Sequence, residues 1–218
     1  SWVNQSRTIS QFGNISLTET TGIGDGVFLI KYAFPDIIGE RTILNIGVGT
    51  KAPFGKSDLR TEEGFQLTAD LQPGSGAWDL LGWSSFSKGL EFRPSATVSG
   101  SFTYRFTGKN TAYLNNTSTY EFGNVLQAAV GYSDQFLLFN TIFNTGLIFK
   151  YRKALDDKID NSKVPNTGGE WIFVRPELSA KITPNISVNS RLELPIYSYV
   201  VGTQLTPTLR FTIGVAYT

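Results

Sequence analysis

"TLRFTIGVAYT", residues 208–218, closes the chain with an unbroken alternation. Leu209, Phe211, Ile213, Val215 and Tyr217 fall on one face of an extended strand, and Thr208, Arg210, Thr212, Gly214, Ala216 and Thr218 fall on the other. In a soluble sandwich the apolar face would be core. In a membrane barrel it meets lipid and Arg210 faces the lumen. One strand does not separate these readings, but the rest of the chain does.

The pattern recurs along most of the sequence. From Ala96 to Phe106 the even positions are Ala, Val, Gly, Phe, Tyr and Phe against Thr, Ser, Ser, Thr and Arg105. Further alternating stretches are 120–132, 137–151, 172–182 and 186–196, with weaker ones at 26–34, 41–52 and 77–87 and the least regular at 6–18. Segments of this length exceed the ordinary globular strand of about 5–6 residues and match the roughly 9–11 needed to cross a bilayer at a tilt. Tyr104, Phe106, Tyr120, Phe122, Tyr132, Phe149, Tyr151 and Tyr217 sit near strand ends, as interfacial girdles do.

The connections alternate in length. Short links are expected at 35–40, 88–93, 133–136 and 183–185, with longer polar ones at 53–76, 108–118 and 152–169 and lesser ones at 19–25 and 199–204. Short turns at one end and long loops at the other characterise bacterial outer-membrane barrels. A soluble lipocalin-like or jelly-roll barrel shares the alternation but not this sidedness. The expected fold is all-β, one domain spanning 1–218: an antiparallel up-and-down transmembrane β-barrel with ten visible strands and periplasmic termini. A chain that opens on Ser instead of Met reads as a mature or partial form, and the barrel would have twelve strands if the natural N-terminus extends upstream.

Composition narrows the chemistry. The chain has no His and no Cys, which removes Ser-His-Asp and Cys-His machinery, imidazole metal sites and disulfides. Formal net charge is +1, so no basic nucleic-acid footprint is present. No apolar run approaches a membrane helix and no signal peptide opens the chain. The acid pairs Glu62–Glu63 and Asp156–Asp157 fall in expected loops and read as solvated, or as a weak Ca²⁺ site at most. The glycines of "GIGDG", 22–26, lack a following helix and make a poor phosphate cradle. No catalytic residue, metal site or cofactor is expected, and the chain does not read as an enzyme.

The expected lumen-lining residues are Arg105, Glu121, Lys150, Arg175, Glu177, Lys181, Arg191, Glu193 and Arg210. If Thr183, Pro184 and Asn185 form a three-residue turn, opposed positions sum to 368, which keeps both lumen faces on one side. Glu177 then opposes Arg191, and Arg175 opposes Glu193. A sum of 403 on the next hairpin sets Glu193 against Arg210. Such charges either satisfy one another inside a narrow barrel or line a polar pore, and mutual pairing is the commoner role.

At "TGIGDGVFLIKYAF" (21–34), "VGTKAPFGKSD" (48–58), "LQPGSGAWDLLGWSSFS" (71–87) and "LELPIYSYVVGTQL" (192–205) the chain resembles the meta-pathway phenol-degradation family of outer-membrane transporter-like barrels. The matching residues include Gly22, Gly24, Asp25, Pro53, Gly55, the run 72–79, Leu194, Pro195, Tyr197, Gly202 and Leu205, and the likeness covers most of 22–218. The resemblance implies a barrel associated with passage of small, often hydrophobic or aromatic compounds, with no catalytic residues to carry over. The expected function is therefore a passive channel or transporter for small solutes in the bacterial outer membrane. The alternative is a structural barrel acting as anchor or partner subunit in a larger outer-membrane assembly. Expected partners are outer-membrane lipid and a small solute or other outer-membrane subunits, without nucleic acid.

Overall fold

The computed structural model describes residues 2–11, 14–61, 64–204 and 206–217, with backbone alone at 9–11 and 14–16. Glu62, Glu63, Leu205 and Thr218 lie outside the described residues.

Valine, isoleucine, threonine and aromatic residues at period two dictate extended backbone, and strand is the predominant structure of the chain. Nine long strands form one antiparallel sheet: β3 (Gly26–Pro35), β4 (Thr42–Ala52), β5 (Asp79–Gly89), β6 (Ala96–Phe106), β9 (Val125–Leu138), β10 (Thr141–Ala154), β13 (Gly169–Thr183), β14 (Ile186–Tyr199) and β15 (Arg210–Tyr217). Their spatial order follows the chain from β3 to β15. Before them, β1 (Trp2–Gln11) and β2 (Asn14–Ile23) form a separate hairpin. Between them, β7 (Lys109–Ala112), β8 (Ser118–Glu121), β11 (Lys158–Ile159) and β12 (Ser162–Lys163) form a small sheet in the order β12, β11, β8, β7.

Among the described residues the large sheet is open: β3 pairs with β4 and β15 pairs with β14, and neither has a second neighbour. A closed ring of ten strands is not what the pairing gives. The stretch expected as one irregular strand at 6–18 belongs to two strands, and the expected link 19–25 shrinks to Gly24 and Asp25. The hairpin is held on the long-loop side, where Arg7 Nη1 lies 3.4 Å from Asp70 Oδ2 and Gly22 packs against Pro73.

The alternation of link length is present. Residues 36–41, 90–95, 139–140 and 184–185 make the short turns, while 53–78, 107–124, 155–168 and 200–209 make the long connections. Two turns differ from the sequence expectation. The β9–β10 turn is Phe139 and Asn140, both left-handed at φ 48° and 60°, as a two-residue hairpin requires, and 133–136 is strand. At the β13–β14 turn Thr183 faces Ile186 across only Pro184 and Asn185, yet Lys181 still faces Ser187. A bulge at Ile182 supplies the odd residue that parity demands, so the sum of 368 survives from Lys181 to Phe173.

Register divides the sheet into two faces. The convex side carries Ile30, Ile46, Phe102, Val130, Leu147, Phe149, Leu178, Phe211 and Ile213, all solvent-exposed in the isolated chain. Ile30 is 79% exposed and Val130 64%. Among the described residues its charges are Lys88, Asp134, Lys153 and Glu170, and all lie towards strand ends. Asp134 pairs with Arg93 at 2.5 Å beside a short turn, and Lys153 with Glu170 at 2.6 Å at the opposite rim. The buried side chains Tyr113, Tyr120, Trp171 and Phe173 instead collect on the concave side and under the long loops.

Candidate functional site

The concave face is built from the odd positions of β3, β4, β5, β6 and β9, the even positions of β10 and β15, and the odd positions of β13 and most of β14. Among the described residues it presents nine cations, Lys31, Lys51, Arg105, Lys150, Arg152, Arg175, Lys181, Arg191 and Arg210, against three acids, Asp79, Glu177 and Glu193.

Each acid collects more than one cation. Glu193, 8% exposed, takes Lys150 Nζ at 2.5 Å, Arg210 Nη1 at 3.9 Å and Arg175 Nη1 at 4.0 Å. Glu177 Oε1 lies 3.0 Å from Arg175 Nε and 3.2 Å from Arg191 Nε. Asp79, 4% exposed, faces Lys51 Nζ at 2.9 Å and Arg105 Nε at 3.8 Å, and accepts the Gly108 backbone N–H at 3.1 Å. Of the remaining cations, Lys31 and Arg152 rest on rings. Lys31 Nζ stands 4.2 Å from the Trp83 centroid, and the Arg152 guanidinium 5.0 Å from that of Trp171. Lys150 does both, lying 4.5 Å from the Phe173 ring while paired to Glu193.

Two cavities open above these groups. One, about 410 Å³, lies among Arg105, Lys150, Arg152, Arg210, Glu193 and the apolar Leu81, Val125, Phe173, Pro207 and Leu209. The other, about 710 Å³, lies under the long loops and is walled by Arg7, Tyr113, Tyr120, Phe122, Asp157 and Trp171. Arg105, Val125, Arg152 and Pro207 line both, so the two adjoin. Among the described residues, the indole N–H of the buried Trp171 has no acceptor.

The long loops are tied down by carboxylates. Asp25 accepts the Ser75 N–H at 3.0 Å, the Ser75 hydroxyl at 2.8 Å and the Gly55 N–H at 3.1 Å, with Lys51 Nζ at 3.2 Å. Burial alone would raise its carboxyl, but those hydrogen bonds and Lys51 outweigh it and hold Asp25 below the usual value. Beneath them the backbones of Gly55 and Gly74 cross so closely that a Cβ on either would strike the other. Asp157 accepts the Tyr120 hydroxyl at 2.5 Å and the Gly123 N–H at 2.7 Å. Burial, then that bond, raises the Tyr120 phenol far above its ordinary value.

Of the residues singled out in the sequence, Arg105, Lys150, Arg175, Glu177, Lys181, Arg191, Glu193 and Arg210 lie on the concave face, and the Glu177–Arg191 and Glu193–Arg210 oppositions are present. Glu121 does not join them. It lies in the loop sheet across from Lys109 and Lys158, because residues 122–124 break the expected strand 120–132. Leu209 precedes β15 and lines the inner cavity instead of the convex face. Sequence reasoning passed over Lys31, Lys51, Asp79 and Arg152, although alternation alone places each of them inward. No family model matches the chain, and no curated protein matches it.

Proposed function

We propose that this chain is an outer-membrane β-barrel whose interior passes small solutes. The observation that carries the reading is the division of the sheet: a convex face whose charges are confined to its rims, set against a concave face with twelve charged groups and two adjoining cavities. An exposed apolar face of this extent needs an apolar environment, and strands of 10 to 15 residues in most of the sheet are long enough to cross a bilayer. Lipid tolerates no unpaired sheet edge. In a membrane the edges of β3 and β15 therefore have to be satisfied, with the β1–β2 hairpin, which precedes β3 in the chain, as one source of strands. The resemblance to the meta-pathway phenol-degradation family belongs to the same proposal, and so does its implied preference for small apolar or aromatic compounds.

The free edges of β3 and β15 favour a second reading, a structural barrel that pairs with or anchors other outer-membrane subunits. Reconstitution separates the two. Proteoliposomes of the full chain should swell in small neutral solutes faster than protein-free vesicles. A folded, bilayer-inserted protein that leaves permeability unchanged would overturn passage and leave the anchor.

A further inference from the structure

We infer that the cavity at Arg105, Arg152 and Arg210 is a binding site for small anions with a carboxylate head, and that passage through the interior is anion-selective. The selectivity rests on the channel reading above; the binding site does not.

Charge is segregated in this protein. The whole chain carries 19 Lys and Arg against 18 Asp and Glu, a near balance. Yet its concave face has nine cations to three acids among the described residues. The excess is densest at the inner cavity, where four cations meet Glu193 alone. Lys150 already holds that carboxylate at 2.5 Å, while Arg210 stands off at 3.9 Å. Arg105 leans towards Asp79 at 3.8 Å, and Arg152 enters none of the ion pairs among the described residues.

Converging guanidinium groups in a walled space repel one another unless an anion sits between them. Arginine presents a planar fork that matches a carboxylate in a two-point contact. Trp171 walls the adjoining cavity under the Arg152 guanidinium, and its buried N–H has no acceptor among the described residues. Leu81, Val125, Phe173 and Leu209 give the remaining wall an apolar character, suited to a short hydrocarbon body behind the charged head. About 410 Å³ is within the usual range for small-molecule sites.

Two measurements on the full chain test this. In micelles, iodide should quench the Trp171 fluorescence, read as the difference from Trp171→Phe, more strongly than caesium does. Sodium butyrate should compete with iodide more strongly than sodium chloride at the same concentration, and butylammonium chloride should compete no more strongly than sodium chloride. Arg152→Gln should reduce the iodide quenching, and so should Arg210→Gln, whose site on an exposed edge strand gives little reason to misfold. Equal quenching by the two ions, or no competition by butyrate beyond that of sodium chloride, overturns the site. In planar bilayers under a KCl gradient the reversal potential should report chloride preference, and Arg152→Glu with Arg210→Glu should lower the chloride-to-potassium ratio on the order of tenfold. Preference for potassium in the parent overturns the selectivity. Absence of conductance with iodide preference retained overturns passage and supports the site.

Discussion

Glu177 stands directly across the β13–β14 ladder from Arg191, its Oε1 3.2 Å from the guanidinium Nε, and shares that same oxygen with Arg175 at 3.0 Å. One carboxylate thus neutralises two cations on neighbouring strands. Glu177→Gln should destabilise the protein by about 1–2 kcal/mol, between an exposed pair's ~0–1 and the 3–5 of a fully buried one, as Arg191 is half exposed. Because Arg175 shares the acid, the swap Glu177→Arg with Arg191→Glu should recover only part of that loss. Urea unfolding in micelles reads both values, and full recovery by the swap would show that Arg175 is not coupled.

The convex face should tolerate no charge at mid-strand. Leu178→Arg should cost about 2–4 kcal/mol of folding stability in a bilayer, whereas Ser179→Arg, one residue along and on the concave face, should cost less. Folding yield into vesicles compares the two, and equal yields would contradict the assignment of faces.

The two ends of the sheet should differ in accessibility. The chain has no cysteine, so single cysteines report cleanly. Cysteines at Lys109 and Lys158, in the loop sheet, should react with a membrane-impermeant maleimide on intact cells, and one at Gln135, next to a short turn, should not. Equal labelling of all three would reject the sidedness.

Asp25 gives the loop end a pH dependence of known sign. Its carboxyl is held below the unfolded value of about 3.9, so its contribution is complete above that value and fades as pH falls through the folded one. Asp25→Asn should destabilise the loop end at neutral pH and flatten the acid limb of its stability curve. Protease cleavage within 53–78, followed from pH 7 downward, tests this; an unchanged acid limb would remove Asp25 as its source.

Tyr120 should remain a phenol when ordinary tyrosines ionise, since burial and its bond to Asp157 both oppose the tyrosinate. In an alkaline titration at 295 nm, Tyr120→Phe should remove no absorbance change near pH 10–11 while loosening the link between the two long loops. Loss of amplitude in that range would show that Tyr120 titrates normally.

Ala96–Phe106 and the 368 register could be read from sequence because one face of each strand is uniformly apolar, and a one-residue slip would invert it. Turns were less legible where composition misled. Phe139 looks like strand, yet it occupies a left-handed turn position. The hairpin at 2–23 is polar on both sides, so its period carries no inside or outside. Lys31, Lys51 and Asp79 were passed over because they sit in the weakly alternating stretches 26–34, 41–52 and 77–87, and Arg152 because it lies one residue beyond the stretch 137–151. Glu121 was misplaced because alternation continues through 122–124, where the chain leaves the wall.

The charged rims of the convex face also set a length. On β10, Thr145 faces the rim residue Asp134, and Lys153, eight positions later, is the rim residue at the other end. Eight steps of ~3.4 Å span roughly 27 Å along the strand and, at the ~40° tilt usual for such barrels, about 21 Å along the membrane normal. A belt this short matches a thin bilayer. On the proposed membrane reading, in a thicker one the lipid would pinch inward around the protein or Lys88 and Lys153 of the rims would reach outward, so the chain should partition by membrane thickness as well as by composition.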